Sequence, residues 1–179
     1  MSYSIMLDLE TLSTTPNAVI LTIGAVKFNP YKVNDITDGL YLRINVDEQT
    51  TLERDVSEST LTWWANQAED VRTEALSDEN RVSLDEFYKQ LNKFVVGAKD
   101  IWCQGPVFDI VILENLYKQK GWPVPWQFWQ IRDSRTLFGV HGDPREKNKA
   151  GLHNALEDCV SQAQAVQEIY HRLKLSEDK

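Results

Sequence analysis

The stretch YSIMLDLETLS, residues 3–13, closes a short apolar run with two carboxylates, Asp8 and Glu10. If residues 5–9 are extended, alternate side chains share a face. Asp8 and Glu10 then point one way while Leu7 and Leu9 point the other. Like charges roughly 6–7 Å apart repel, and either solvent or a cation that both share relieves them. Two further acids stand at junctions. Asp109 lies between Phe108 and Ile110, where a strand gives way to an apolar helix, and it reads on its own as a cap or first-turn acid stabilised by the helix dipole. Asp158 borders the apolar stripe of the last helix, in line with Asn154 and Gln162, where a boundary charge is the plain alternative. His153 precedes Asp158 by five residues. On an ideal helix that puts the two about 140° apart, so they share a site only if His153 sits at the frayed start or in the preceding loop.

The elements that must position these groups follow from periodicity and turn chemistry. Residues 3–10, 17–28 and 39–46 read as three strands joined through Thr-Pro, Asn-Pro and Asp-Gly, an antiparallel meander. Residues 57–76 read as helical. Residues 83–95 form a helix opened by Ser83 with Glu86 as a capping box, with Leu84, Phe87, Tyr88, Leu91, Phe94 and Val95 on one face. A buried strand at 100–104, a helix at 108–121 ended by Gly121, a strand at 128–134 and a helix at about 151–173 complete the pattern. The fold class expected is therefore α/β, a mixed five-stranded sheet covered by helices.

The chain has 179 residues, enough for one well-packed domain, expected over 1–175 with a disordered tail at 176–179. No apolar run approaches the length of a membrane span and the N-terminus carries no basic leader pattern, so no membrane partner and a cytoplasmic location are expected. Cys103 and Cys159 make no metal-binding spacing and read as reduced core thiols. A net charge of -8 argues against a protein that holds nucleic acid on a broad basic surface, without excluding a nucleic-acid enzyme. The charge is uneven: residues 47–80 hold ten Asp or Glu against two Arg, while Arg132, Arg135, Arg145, Lys147 and Lys149 cluster in a stretch that either meets phosphates or is simply solvated.

The ordered set of D-x-E on the first strand, then F-D, then H-x-x-x-x-D resembles the DEDDh branch of the DnaQ-like 3′-to-5′ exonucleases, in the ribonuclease H-like superfamily. The matching residues are Asp8 and Glu10 in LDLET, Asp109 in WCQGPVFD, and His153 with Asp158 in GLHNALEDCVSQA. The tryptophan pair in TLTWWANQ is similar to one in the compact exonucleases related to the T-even phage DNA exonuclease and the mycobacterial exoribonuclease group. The chain departs from the family pattern in having Gln104 where many members have Asn, and in lacking a Gly after Glu-Thr.

This resemblance implies a ribonuclease H-like fold and a metal-dependent nuclease that releases nucleoside 5′-monophosphates from single-stranded DNA or RNA 3′ ends. Asp8, Glu10, Asp109 and Asp158 would hold two Mg²⁺ or Mn²⁺ ions, hard cations that oxygen ligands suit. Asp8 would bridge the ions, and His153 would act as general base, a role open to histidine because the unperturbed imidazole changes charge at about pH 6.5. Leu9, Thr11, Leu12 and Phe108 occupy the places that meet the terminal nucleotide in similar enzymes. Trp63 or Trp64 could add a stacking platform, although neighbours on a helix point about 100° apart, so one of them belongs to the core. A homodimer is left open. The rival readings are a noncatalytic nucleic-acid-binding module on the same fold and a ribonuclease H-like endonuclease.

Overall fold

A computed structural model describes residues 3–145 and 153–177. Three strands, β1 (Ser4–Thr11), β2 (Ile20–Phe28) and β3 (Ile36–Ile44), form the expected antiparallel meander. Three short helices follow: α1 (Val46–Thr51), α2 (Glu58–Ala65) and α3 (Glu69–Leu76). Then come β4 (Arg81–Val82), α4 (Leu84–Val95), β5 (Ile101–Cys103), α5 (Asp109–Lys120), a 3-10 turn at Phe128–Gln130, β6 (Ile131–Asp133), α6 (Ser134–His141) and α7 (Ala155–Arg172).

The mixed α/β class holds, but the sheet has six strands rather than five, in the order β4-β3-β2-β1-β5-β6. The added strand, β4, is two residues long and lies parallel to β3, too short to leave a periodic signal. Helix α4 matches the expected span. Ser83 accepts a hydrogen bond from the Glu86 N–H at 3.2 Å, but the Glu86 side chain accepts from Gln90 Nε2 at 2.7 Å instead of closing the capping box. Helix α5 stops at Gly121, whose φ of 68° suits a left-handed cap. Residues 57–76 split into α2 and α3, and α1 and α6 were not anticipated. Among the described residues, no helix is long and apolar enough to cross a membrane. Of the tail expected at 176–179, residues 178–179 lie outside the described residues.

Strand alternation sorts β1 onto two faces. Ile5, Leu7 and Leu9 join a core with Leu84, Phe87 and Leu91 of α4 and Ile110, Leu113 and Leu116 of α5. Met6 faces the other way, into a core with Val26, Phe28, Trp102 and Cys159, Ala163 and Val166 of α7. Asp8 and Glu10 share the face of Met6, the face that α7 covers. Cys103 and Cys159 are free and buried, as expected.

The approach of α7 is set by Gly24, which pairs with Asp8 across the β1–β2 ladder. A Cβ at Gly24 would lie 2.2 Å from the carbonyl carbon and oxygen of Ala155, so only glycine lets the first turn of α7 rest on the sheet. At Gly39 the nearest obstacle is Leu156 Cδ1 at 3.3 Å, a side-chain end that can move. Gly24→Ala should therefore lower the unfolding free energy by about 1–3 kcal/mol in urea denaturation and displace α7, whereas Gly39→Ala should cost less.

Candidate active site

The site lies where β1, the loop after β5 and the start of α7 meet. Expected to begin near residue 151, the last helix instead begins at Ala155, because the Asn154 side chain accepts the N–H groups of Leu156 and Glu157 at 3.1 and 3.2 Å and ends the backward run of the helix. Residues 151–152 lie outside the described residues. His153 stands before the cap with φ of 49°, a left-handed conformation that removes it from the helical register. The 140° separation expected on a continuous helix therefore does not apply. One ligand atom each from Glu10, His153 and Asp158 fall within 4.8 Å of one another, a group able to hold a metal ion.

Asp8 enters from the same face of β1, and its Oδ1 accepts a hydrogen bond from Gln162 Nε2 at 3.1 Å. Gln162 is 4% exposed, one helical turn beyond Asp158, and its own Oε1 has no hydrogen-bond partner among the described residues. Asp109 arrives from the opposite layer as the first residue of α5. Its Oδ1 accepts the backbone N–H of Leu9 at 3.1 Å, past the paired part of β1 and β5, so the carboxylate satisfies a strand group that would otherwise be open.

Burial and mutual repulsion push these acids toward the protonated form. Asp8 rises from 3.8 to about 7, chiefly through loss of water and then through Asp158. Glu10 rises from 4.5 to about 9, through burial and then through Asp8, Asp158 and Asp109. Asp109 is raised well above its ordinary value by burial and by Asp8, and Asp158 is raised by burial against the opposing charge of His153. Burial, then nearby carboxylates, likewise hold Cys103 and Cys159 as inert thiols.

Beside the acids is a cleft of about 400 Å³ whose lining includes Leu9, Glu10, Thr11, Trp63, Trp64 and Phe108. The tryptophans divide their work. Trp64 is buried and donates from Nε1 to the Thr11 carbonyl at 2.9 Å, fixing the end of β1. Trp63 is 42% exposed and sets its ring edge-to-face against His153, with centroids 5.0 Å apart. Leu12, expected beside the terminal nucleotide, turns instead into a core with Val19, Leu21 and Trp64 and does not line the cleft. Thr14, Ser59 and Thr60 do line it and carry no signal in the sequence, whereas Gln162 stands in line with Asp158 there without an assigned role. A polar residue four positions after Asp158 on an apolar stripe was the available signal for Gln162.

The basic stretch is mostly spoken for. Arg132 pairs with Asp100 at 2.7 Å, Arg135 donates to the Gln104 carbonyl at 3.0 Å, and Arg145 pairs with Asp143 at 2.6 Å while lying over the Phe138 ring. Lys147 and Lys149 lie outside the described residues.

Residues 3–170 match the model of a family described as the 3′-5′ exoribonuclease Rv2179c-like domain. The chain belongs to that family. It is a 3′-to-5′ exonuclease, a phosphodiester hydrolase. The exonuclease is also 25% identical to the exodeoxyribonuclease of Enterobacteria phage T4, over 88% of this chain and 85% of that protein. Solved nuclease structures share its fold, two of them as follows. Cell-death related nuclease 4 aligns with a TM-score of 0.65 at 16% identity, covering 96% of this chain, which spans 64% of that nuclease. The nuclease domain of 3′hExo, a DEDDh family member solved with bound rAMP, aligns with a TM-score of 0.59 at 14% identity, covering 96% and 92% of the two chains.

The raised acids make a prediction about the metal-free enzyme. A carboxylate whose folded pKa lies above its unfolded one binds more protons folded than unfolded. Stability is therefore lost as pH climbs from the unfolded value through the folded one. For Asp8 and Glu10 that window runs from about 4 to about 9. With chelator present, thermal unfolding should occur at a lower temperature at pH 9 than at pH 5.5, and Asp8→Asn should flatten the dependence.

Proposed function

We propose that this exonuclease removes nucleotides one at a time from single-stranded DNA or RNA 3′ ends, releasing nucleoside 5′-monophosphates. In this reading Asp8, Glu10, Asp109 and Asp158 hold two Mg²⁺ or Mn²⁺ ions and His153 is the general base. The observation that carries it is the convergence of Glu10, His153 and Asp158 within 4.8 Å beside an open cleft.

The residues fit such ions. Buried carboxylates raised by desolvation and by one another need either protons or cations, and an all-oxygen set around one histidine suits hard divalent ions. When bound, the cations supply charge neutralisation for the scissile phosphate and for both the attacking and leaving oxygens. The protein groups do the rest. Trp63 packs edge-to-face with the His153 ring, which stands beside Glu10 and Asp158. His153 takes a proton from the attacking water as its oxygen bonds to phosphorus. The bond to the 3′ oxygen of the preceding nucleotide breaks, and that oxygen takes up a proton from solvent. Gln162 keeps Asp8 turned into the site, and Asp109 is held by the Leu9 N–H. Leu9, Thr11 and Phe108 offer the cleft wall against which the terminal base and sugar rest, with Trp63 as the stacking surface.

Digestion of 3′-labelled single-stranded oligonucleotides with Mg²⁺ or Mn²⁺ tests this reading. Mononucleotide release should be lost in chelator and lost in Asp8→Ala and Asp158→Ala, with circular dichroism unchanged. His153→Ala should reduce kcat by about 10²–10⁴-fold with a smaller effect on substrate affinity. Full activity of Asp8→Ala contradicts the mechanism. Cleavage of a substrate blocked at its 3′ end marks an endonuclease, and binding without cleavage marks a noncatalytic module.

A further inference from the structure

A second concavity, of about 520 Å³, lies along the outer face of α5 between Pro16 and Trp122, lined also by Val111, Glu114, Asn115 and Lys118. Its walls neighbour those of the catalytic cleft along the chain. On one wall Thr14 lines the cleft and Pro16 the groove, two residues on in the β1–β2 loop. On the other, Phe108 lines the cleft and Val111 the groove, three residues on in α5. Resting on the exonuclease reading above, we infer that this groove carries the nucleotides upstream of the scissile bond, so that a single strand enters along α5 with its 3′ end in the cleft.

Three further features suit that occupant. The groove is built as a fixed channel. Arg54, only 4% exposed, reaches beneath it from the Ala18 carbonyl in one wall, at 3.0 Å from Nε and 2.6 Å from Nη2, to Asn115 Oδ1 and Gln119 Oε1 in the other, at 3.0 and 3.1 Å. All of these partners are neutral, and Arg54 makes no ion pair among the described residues, so its charge stands one hydrogen bond from the lining residue Asn115 without a paired carboxylate. Lys118 is exposed and likewise has no ion-pair partner among the described residues, which leaves it free for a phosphate in a protein of net charge -8. Glu114, the one acid of the lining, accepts a hydrogen bond from Trp126 Nε1 at 2.9 Å.

Apolar surface is the second feature. Val111 of the lining is 37% exposed, and Val107, next to the cleft residue Phe108 in sequence, is 86% exposed, apolar surface on which bases can lie. At the far end Trp122 is backed by the stacked ring of Tyr88 at 4.5 Å, and Lys120 lies 5.1 Å over its ring. Length is the third. Val111 to Lys118 spans about 10 Å at the helical rise, room for about three nucleotides at stacked spacing of about 3.4 Å.

Steady-state hydrolysis of oligothymidylates and oligouridylates of two and ten nucleotides tests the channel. For the native enzyme KM should fall at least about 5-fold from two to ten nucleotides, the effect of one stacking contact. Lys118→Glu and, separately, Val111→Glu should remove most of that gain while leaving the dinucleotide within about twofold. Lys118→Ala should reduce the salt dependence of decamer binding by about one unit of slope. Lys93→Glu, an exposed lysine on α4, is the control for net charge and should change neither length. A native KM independent of length, or variants that weaken both lengths equally, overturns the channel. Should no oligonucleotide be cleaved, the exonuclease reading fails by itself. Fluorescence anisotropy of a labelled decamer in Ca²⁺ then still decides the groove, since Lys118→Glu must weaken binding and unchanged binding refutes it.

Discussion

Four carboxylates gathered at one site, Glu10 and Asp109 buried and Asp8 and Asp158 half-buried, are the constraint around which the molecule is arranged. A packed interior does not gather such charges without cost, and here the cost shows in acids driven toward neutrality by burial and by each other. Each carboxylate is therefore fixed by something other than its own preference. Strand alternation aims Asp8 and Glu10 at α7, the open N–H of Leu9 holds Asp109, and the contact of Ala155 with Gly24 sets the height of Asp158 above the sheet. The same glycine pairs with Asp8 across the ladder. The place where the helix comes closest is thus one residue pair from the acid at the centre of the site.

The sheet works as a divider as well as a floor. One core, under α4 and α5, takes the leucines of β1; the other, under α7, takes Met6 and with it the acids. Asp109 is the group that crosses, reaching from the start of α5 past the short β5. The tryptophan pair extends the same economy to the cleft. Trp64 anchors the end of β1 from inside, and Trp63, one residue away and turned outward, braces His153. A histidine in a left-handed conformation at the edge of a helix is an arrangement that surrounding contacts must sustain, and the Trp63 ring and the Asn154 cap are the visible ones.

Much of this was legible in the residues. The meander, α4, α5 and its glycine stop, and the face assignment of Asp8 and Glu10 follow from periods of 2 and 3.6 and from turn chemistry, which act locally. What escaped was long-range or short in extent. A two-residue strand such as β4 exists only because β3 lies beside it, and α6 has too few turns to show an apolar stripe. The start of α7 was misplaced because Asn154 acts as a cap, while the run GLHNALED also reads as continuous helix. Leu12 occupies a place that meets the terminal nucleotide in similar enzymes, yet here a register shift between Glu10 and Thr11 precedes it, and Leu12 packs into the core with Trp64. Gln162 became meaningful only once Asp8 was seen opposite it, 154 residues away in sequence.

The central claim is that the carboxylates are held in readiness for cations, and calorimetric titration of Mn²⁺ into chelator-stripped protein at pH 7.5 tests it most directly. Run in two buffers of different ionisation heat, the titration reports protons released as well as ions bound. Because Glu10, raised to about 9, holds a proton at this pH without a cation and Asp8, raised to about 7, holds one part of the time, binding of two ions should release protons, and Asp8→Asn should reduce both the stoichiometry and the release. Absence of binding, or binding with no proton release, contradicts the account.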